Sequence, residues 1–195
     1  VRDDPSERGY RSYGHASAAR HEPVLLAIAR VLRFRNTWIM ILVPGGVVGA
    51  TLTFAGLWGV PFLTSQYGMS KTEAATLNTA MLVAWAVGSP LFGAWSDRIG
   101  RRKPLYIGGT ASLIVLWTVV IFVPALPIAV LTGLLLCIGF ASGCMAISYA
   151  FAKESVPRQY SGTVSGVCNS GSMLGPMILQ PAVLENAIYA ASASG

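Results

Sequence analysis

The chain has 195 residues, of which 53% are hydrophobic and 11% charged, and its mean hydropathy is +0.57. Soluble domains carry charge on about a quarter of their residues, so this composition excludes an ordinary water-soluble fold and indicates a lipid environment. The net charge of +6 does not favour a nucleic-acid partner, because nearly all the basic residues lie in segments predicted on one side of a membrane. The cysteines, Cys137, Cys144 and Cys168, lie in apolar stretches and are interpreted as small hydrophobic side chains.

Residues 1–36 form a polar, charged segment. Within it, residues 22–35 place apolar side chains at helical spacing with basic residues beside them. The apolar positions are Val24, Leu25, Ile28, Val31 and Leu32, and the basic positions are Arg30, Arg33 and Arg35. The pattern predicts a basic amphipathic helix on a membrane surface, with a solvated helix as the alternative.

Long uncharged stretches follow, each near or above the 20 or so residues that cross a bilayer. They predict five transmembrane helices: 37–63, 74–96, 104–124, 127–152 and 159–183. Residues 184–195 are too few and too small to span, and are predicted to form a non-spanning tail. The fold class is therefore all-α, a polytopic helical membrane protein.

The charges fit this topology. If the N-terminal segment is cytosolic, thirteen basic residues lie in cytosolic segments and one, Lys71, lies outside. The positive-inside rule predicts this asymmetry. We therefore expect an integral membrane protein with a cytosolic N-terminal segment, in contact with membrane lipid and not with nucleic acid.

A short motif lies between the second and third predicted spans. Its defining residues are Gly93, Asp97, Arg98, Gly100, Arg101 and Arg102. Gly93 suits a close helix approach, and Gly100 suits a tight reversal. Asp97 is expected to interact with Arg98, with Arg101 or with a helix N-terminus, while Arg102 and Lys103 have the simpler alternative role of fixing topology.

This motif resembles the signature loop of the major facilitator superfamily, G-x-x-x-D-R-x-G-R-R. The resemblance implies half of a bundle of six plus six helices, with the motif as a cytosolic gate. Residues 1–9, the run Phe54–Leu63 and a fourth span without arginine resemble the second half. The chain is thus interpreted as helices seven to eleven of a truncated fragment, whose partner is the missing N-terminal six-helix half.

Polar residues follow one face of the fifth predicted span. They are Ser161, Ser165, Asn169, Ser172, Pro176 and Gln180. Lining of a solute pathway and hydrogen bonding between helices are both compatible with this stripe, and Asn169 is the leading candidate for solute contact. Trp58, Tyr149 and Trp85 are weaker candidates, since aromatic residues in a span more often pack or face lipid.

Several glycine pairs are spaced for close helix packing. The pairs are Gly45 and Gly49, Gly139 and Gly143, Gly162 and Gly166, and Gly171 and Gly175. Gly175-Pro176 is also expected to kink the last span. Closely packed glycine pairs and kinked helices occur both in transporters whose halves rock against each other and in ordinary membrane bundles.

No ionisable residue lies deep in the five predicted spans, so a coupling residue is expected elsewhere unless the protein is a uniporter. The sequence contains no recognisable catalytic set and is predicted to be no enzyme, with no cofactor and no metal site. The resemblance to the superfamily implies secondary active transport of a small solute by alternating access, as a symporter or antiporter, in a bacterial inner (plasma) membrane. The alternative is a non-transporting membrane interaction or regulatory protein derived from a half-transporter.

Overall fold

The computed structural model describes residues 22–193, with side chains to residue 183. These residues form an all-helical bundle, and expectations about residues 1–21 lie outside them. The helices are α1 (Val24–Val31), α2 (Arg35–Tyr67), α3 (Lys71–Ile99), α4 (Arg102–Phe122), α5 (Ile128–Glu154) and α6 (Ser161–Ala193). The π-helical turn Phe54–Trp58 lies within α2, and the 3₁₀ turn Gly143–Met145 lies within α5.

Among the described residues, four helices are long and apolar enough to cross a membrane, namely α2, α3, α4 and α5. They overlap the first four predicted spans, and α2 and α3 extend beyond the predicted spans 37–63 and 74–96 at both ends. At α3 the reason is capping: Ser70 and Glu73 form a reciprocal capping box at its start, and left-handed Gly100 ends it.

The fifth predicted span, 159–183, lies in α6, which is not among these four. Polar residues such as Asn169 and Gln180 lower the hydropathy of this helix, and its crossing of the membrane stays a prediction. The helix runs on to Ala193, so residues 184–193 continue it instead of forming a separate tail. Alanines in this stretch favour that continuation.

The amphipathic helix predicted over 22–35 is shorter than expected. It ends at Val31, and α2 already begins at Arg35. Backbone hydrogen bonds from Arg33 to Arg30 and from Phe34 to Val31, both 3.1 Å, close a tight turn between the two helices. One continuous helix would have carried α1 in the direction of α2, whereas the turn lets it change direction.

Helix α5 is the centre of the bundle. It contacts α2, α3, α4 and α6, and its Leu131, Leu135 and Ile138 are fully buried. By contrast, α4 exposes large apolar side chains such as Ile114 and Phe122. This distribution fits a bundle whose outer surface faces lipid acyl chains.

Two seams of small residues join the helices in pairs. Helix α2 meets α6 where Gly45 and Gly49 face Gly171 and Gly175. A Cβ atom on Gly45 would lie 2.9 Å from the carbonyl oxygen of Gly171, so the backbones touch. We call this contact the α2–α6 seam.

The second seam joins α3 to α5. A Cβ atom on Gly139 would overlap the carbonyl of Met81, and one on Gly143 would overlap the backbone of Gly88. Three of the four predicted glycine pairs therefore pack closely. At Gly162 and Gly166 a Cβ atom would meet nothing within 4 Å in the described part of the chain, so this pair forms no seam there.

Candidate functional site

The connection between α3 and α4 is a sharp reversal. Gly100 adopts φ 65°, and its N–H donates to the carbonyl oxygen of Ser96 at 3.1 Å. Arg101 is extended, and α4 begins at Arg102. Since a side chain strains the left-handed conformation, glycine is the residue that suits this turn, as the sequence indicated.

Arg102 links three helices at this reversal. Its Nη1 lies 3.2 Å from Oδ1 of Asp97 on α3, and its Nη2 lies 2.8 Å from Oε1 of Glu154 on α5. The Nε of Arg102 donates to both Glu154 oxygens at 2.8 and 2.9 Å. A planar guanidinium suits such a multidentate contact with a carboxylate. We call Asp97, Arg102 and Glu154 the charged corner.

The two carboxylates of the charged corner remain open to water. The side chains of Asp97 and Glu154 are 71% and 55% exposed, whereas that of Arg102 is 24% exposed. Exposed ion pairs are weak, at about 0.2–1 kcal/mol each. The corner therefore holds the ends of three helices together by contacts that water can replace.

This geometry corrects one expectation from the sequence. Asp97 pairs with Arg102, at the start of α4, and not with Arg98 or Arg101. The tight turn at Gly100 places Arg102 at the start of α4, within reach of the end of α3. Arg98 and Arg101 are exposed and form no ion pair within the described residues.

Gly93 and Glu154 also differ from the sequence-based view. A Cβ atom on Gly93 would meet nothing within 4 Å among the described residues, so the expected close helix approach is absent from that part of the chain. Glu154 was missed as a member of the site. The signal available was its charge, opposite to that of Arg102, in the next loop predicted on the same side of the membrane.

Two of the predicted pathway residues lie together. The Tyr149 hydroxyl on α5 donates to Oδ1 of Asn169 on α6 at 3.1 Å, and Asn169 is exposed. Tyrosine hydroxyl and amide groups can both donate and accept hydrogen bonds. This pair can therefore bind a polar solute by exchanging its internal hydrogen bond for bonds to that solute.

The other polar residues of α6 make contacts of their own. Ser165 donates to the carbonyl oxygen of Ser161, and buried Ser172 donates to that of Cys168. Pro176 is buried, and Gln180 is half-buried beside α2. Part of the polar stripe is therefore buried, whereas Asn169 is exposed, and the lining of a solute pathway by the exposed part stays a prediction.

Trp58 lies in a different place, a cavity of about 880 Å³ between α2, α4 and α6. We call it the outer groove. Its lining is largely apolar, and it includes Thr53, Trp58 and Trp117, whose side-chain polar atoms are buried and have no hydrogen-bond partner within the described residues. Thr53 and Trp117 were not predicted. Trp85 lies elsewhere, packed against the core.

The sequence profile of the Major Facilitator Superfamily matches residues 2–183. The ectoine/proline transporter ProP of Corynebacterium glutamicum is 34% identical over 103 residues, which are 51% of this chain and 19% of that protein. An uncharacterized transporter of Buchnera aphidicola is 26% identical over 76% of this chain and 37% of its own length.

An uncharacterized protein of Archaeoglobus fulgidus is 27% identical over 76% of this chain and 67% of its own length. The matched region thus spans less than two-fifths of each of the two relatives named as transporters. The profile, by contrast, covers nearly the whole bundle and includes both the charged corner and the Tyr149–Asn169 pair. The chain belongs to the Major Facilitator Superfamily.

Proposed function

We propose that this chain forms part of a secondary active transporter that moves a small solute across the membrane by alternating access. Membership of the superfamily and the similarity to proteins named as transporters support this function. The observation that carries it is the charged corner, which joins α3, α4 and α5 by water-exposed ion pairs.

Alternating access requires two conformations of similar free energy. Ion pairs worth about 1 kcal/mol or less each stabilise one conformation without trapping it. In the proposed cycle, the charged corner forms when this end of the bundle is closed and separates when it opens. The α2–α6 seam and the α3–α5 seam, which contain tightly packed backbone, move as rigid units.

We also propose that the end of the bundle with the charged corner faces the cytosol, in a bacterial inner membrane. Its basic residues include Arg98, Arg101, Arg102, Lys103, Lys153 and Arg158. The opposite connection, between α2 and α3, is followed by Lys71. An excess of positive charge on one side is the signature of cytosolic loops.

The remaining part of the transporter is its proposed partner: a six-helix half, together with one more helix packed in the outer groove. The lining of the outer groove is largely apolar, which suits a further membrane helix whose side chains pack against it.

For the solute, we propose a neutral or zwitterionic molecule that contacts Tyr149 and Asn169. From residue 37 to residue 183, Asp, Glu, His, Lys and Arg lie only near helix ends and in the connections between helices. Net charge on a solute would therefore find no counter-charge away from the helix ends of this region. The relative named as an ectoine/proline transporter makes these two zwitterions the first solutes to test.

The test is uptake by the transporter that contains this chain, reconstituted in proteoliposomes. We expect radiolabelled proline or ectoine to accumulate when a proton or sodium gradient is imposed. Charge reversal by Asp97→Lys is expected to lower uptake at least tenfold without changing membrane insertion. The control Lys71→Asp reverses a charge at the other end of the same helix and is expected to retain uptake.

Each outcome bears on a separate part of the proposal. Normal uptake by Asp97→Lys would remove the gating role of the charged corner. If the intact protein moves neither solute, nor any of a panel of sugars, organic acids and peptides, under any gradient, transport itself is wrong. The non-transporting interaction protein is then the better assignment.

A further inference from the structure

Helix α1 presents large apolar side chains away from the bundle. Its Ala27 and Val31 are buried against the bundle, where α1 contacts α6. Val24 and Leu25, in contrast, are 72% and 81% exposed. Full burial of such a side chain is worth about 1.5–3 kcal/mol relative to water, so this surface favours an apolar environment.

The position of α1 relative to the membrane is fixed by the turn that follows it. Only residues 32–34 separate α1 from α2, a reach of about 10 Å even when extended. Half-exposed Trp38 in the first turns of α2 donates through Nε1 to the carbonyl oxygen of Leu32 at 2.9 Å. Because α2 can cross a membrane, α1 lies at the level of the bilayer surface, where tryptophan is enriched.

The rotation of α1 about its axis is fixed by a second contact. Arg30 Nε lies 3.0 Å from Oε1 of Glu22, and Arg30 Nη1 donates to the hydroxyl of Tyr160 at 2.9 Å. Tyr160 is buried in the 3₁₀ turn immediately before α6. The bond to Tyr160 and the charge of Glu22 raise the pKa of Arg30.

The charge around this apolar surface is positive. Arg33 and Arg35 are exposed in the turn beside α1 and in the first turn of α2, and they form no ion pair with the described residues. Lys153 and Arg158 are exposed at the same end of the bundle. A basic residue at a membrane surface is attracted to anionic lipid by about 1 kcal/mol.

We propose that α1 and the turn to α2 form an interfacial segment that binds the surface of an anionic phospholipid bilayer. Val24 and Leu25 insert among the upper acyl carbons, and Arg33 and Arg35 contact headgroup phosphates. Arg30 is held by Glu22 and Tyr160, so it orients α1 instead of binding lipid. The proposal depends on α2 crossing the membrane and not on which solute is transported.

The competing occupants of this surface are water and another protein segment. Two features favour lipid over both. The exposed residues are large aliphatics, which water does not favour, and basic residues flank them at the level of a bilayer surface. Apolar insertion combined with basic flanks is the pattern of helices that lie in a membrane interface.

The test places a fluorophore on α1 in the whole protein. Leu25→Cys, made in a Cys137→Ser background, is labelled with NBD and reconstituted in nanodiscs of phosphatidylcholine alone or with 30% phosphatidylglycerol. We expect a blue-shifted emission, and quenching by lipid carrying a doxyl group at acyl carbon 5 that is at least twofold stronger in the phosphatidylglycerol discs. The same label at Lys71→Cys is expected to show no dependence on lipid charge.

A pair of charge variants separates anionic-lipid binding from simple apolar contact. Arg33→Gln with Arg35→Gln is expected to abolish the difference between the two lipid compositions at position 25. Arg98→Gln with Arg101→Gln removes the same charge from the same end of the bundle and is expected to preserve that difference. Equal gel-filtration profiles in detergent check that both variants fold.

Three results would overturn the proposal. A water-like emission from position 25 in both kinds of disc identifies a solvated helix. A blue-shifted emission without doxyl quenching identifies a surface covered by protein. Quenching that is equal in the two lipid compositions removes the preference for anionic lipid.

Discussion

The α2–α6 seam and the charged corner both hold helices together, but by opposite means. In the seam, Gly45 and Gly175 let two backbones touch without side chains between them. In the corner, Arg102 bridges two carboxylates that are more than half exposed to water. The seam has no alternative partner in lipid, whereas water can replace every contact of the corner. We therefore expect the seam to determine the stability of the fold, and the corner to determine the exchange between closed and open conformations.

The largest predicted effect tests the seam. In Gly175→Ala, the new methyl group would overlap the carbonyl oxygen of Gly45, a backbone atom that cannot move aside. We expect a loss of about 3 kcal/mol in the free energy of unfolding, at the upper end for overpacking. Denaturation in detergent, followed by tryptophan fluorescence, measures this loss.

Gly166→Ala is the matched control for the seam. It adds the same methyl group to the same helix, where a Cβ atom meets nothing within 4 Å among the described residues. Because alanine favours a helix over glycine by up to about 1 kcal/mol, this variant is expected to be as stable as the parent or slightly more so. Equal losses in both variants would contradict the role of the seam.

The second prediction tests the corner. Arg102→Gln removes the contacts to both Asp97 and Glu154. Because each exposed pair is worth up to about 1 kcal/mol, the loss of both shifts the balance between closed and open states by up to about thirtyfold. We expect uptake to fall by a similar factor while the free energy of unfolding changes little.

Two further variants identify the partner of Arg102. Glu154→Gln is expected to lower uptake as Arg102→Gln does, and the double variant no further than the stronger single one. Lys153→Gln neutralises an exposed charge beside Glu154 and is expected to retain uptake. If Arg102→Gln unfolds the protein as strongly as Gly175→Ala does, the distinction between seam and corner fails.

The sequence predicted the close packing of the α2–α6 seam but not the ion pairs of the charged corner, for a physical reason. Glycine spacing and the positive φ of Gly100 are local properties, and the reversal between α3 and α4 follows from them. The pairing of Arg102 with Glu154 depends instead on how α4 and α5 pack, which the residues of one loop do not specify. Arg98 and Arg101, the two arginines offered as partners of Asp97, were consequently the wrong ones.

The polar stripe on α6 shows the same limit. Helical periodicity placed Asn169 and Ser172 on one face, and in the structure one is exposed while the other is buried. Periodicity describes a single helix and does not show which part of its face a neighbour covers. The outer groove was missed for the same reason, since Thr53 and Trp117 lie on different helices and line one cavity only in the folded bundle.

The third prediction concerns the Tyr149–Asn169 pair, in which Asn169 is exposed to solvent, as the carboxylates of the charged corner are, but neither residue is charged. Tyr149→Phe removes one neutral hydrogen bond, worth about 0.5–1.5 kcal/mol. If this pair binds solute, the KM for uptake rises about two- to tenfold while the maximal rate changes less. Tyr67→Phe, on α2, is the control and is expected to leave KM unchanged.

The smallest effect is expected at the opposite end of α3, where the contacts are exposed to water but do not join different helices. The capping box of Ser70 and Glu73 is as open to water as the charged corner, but both residues belong to one helix end. Ser70→Ala is expected to reduce the free energy of unfolding by about 1 kcal/mol and to leave uptake unchanged. Ser65→Ala, whose hydroxyl makes only a 3.4 Å bond within its own helix, is the control. Loss of uptake in Ser70→Ala would show that any weakened contact at a helix end impairs transport, and the charged corner would no longer be a special site.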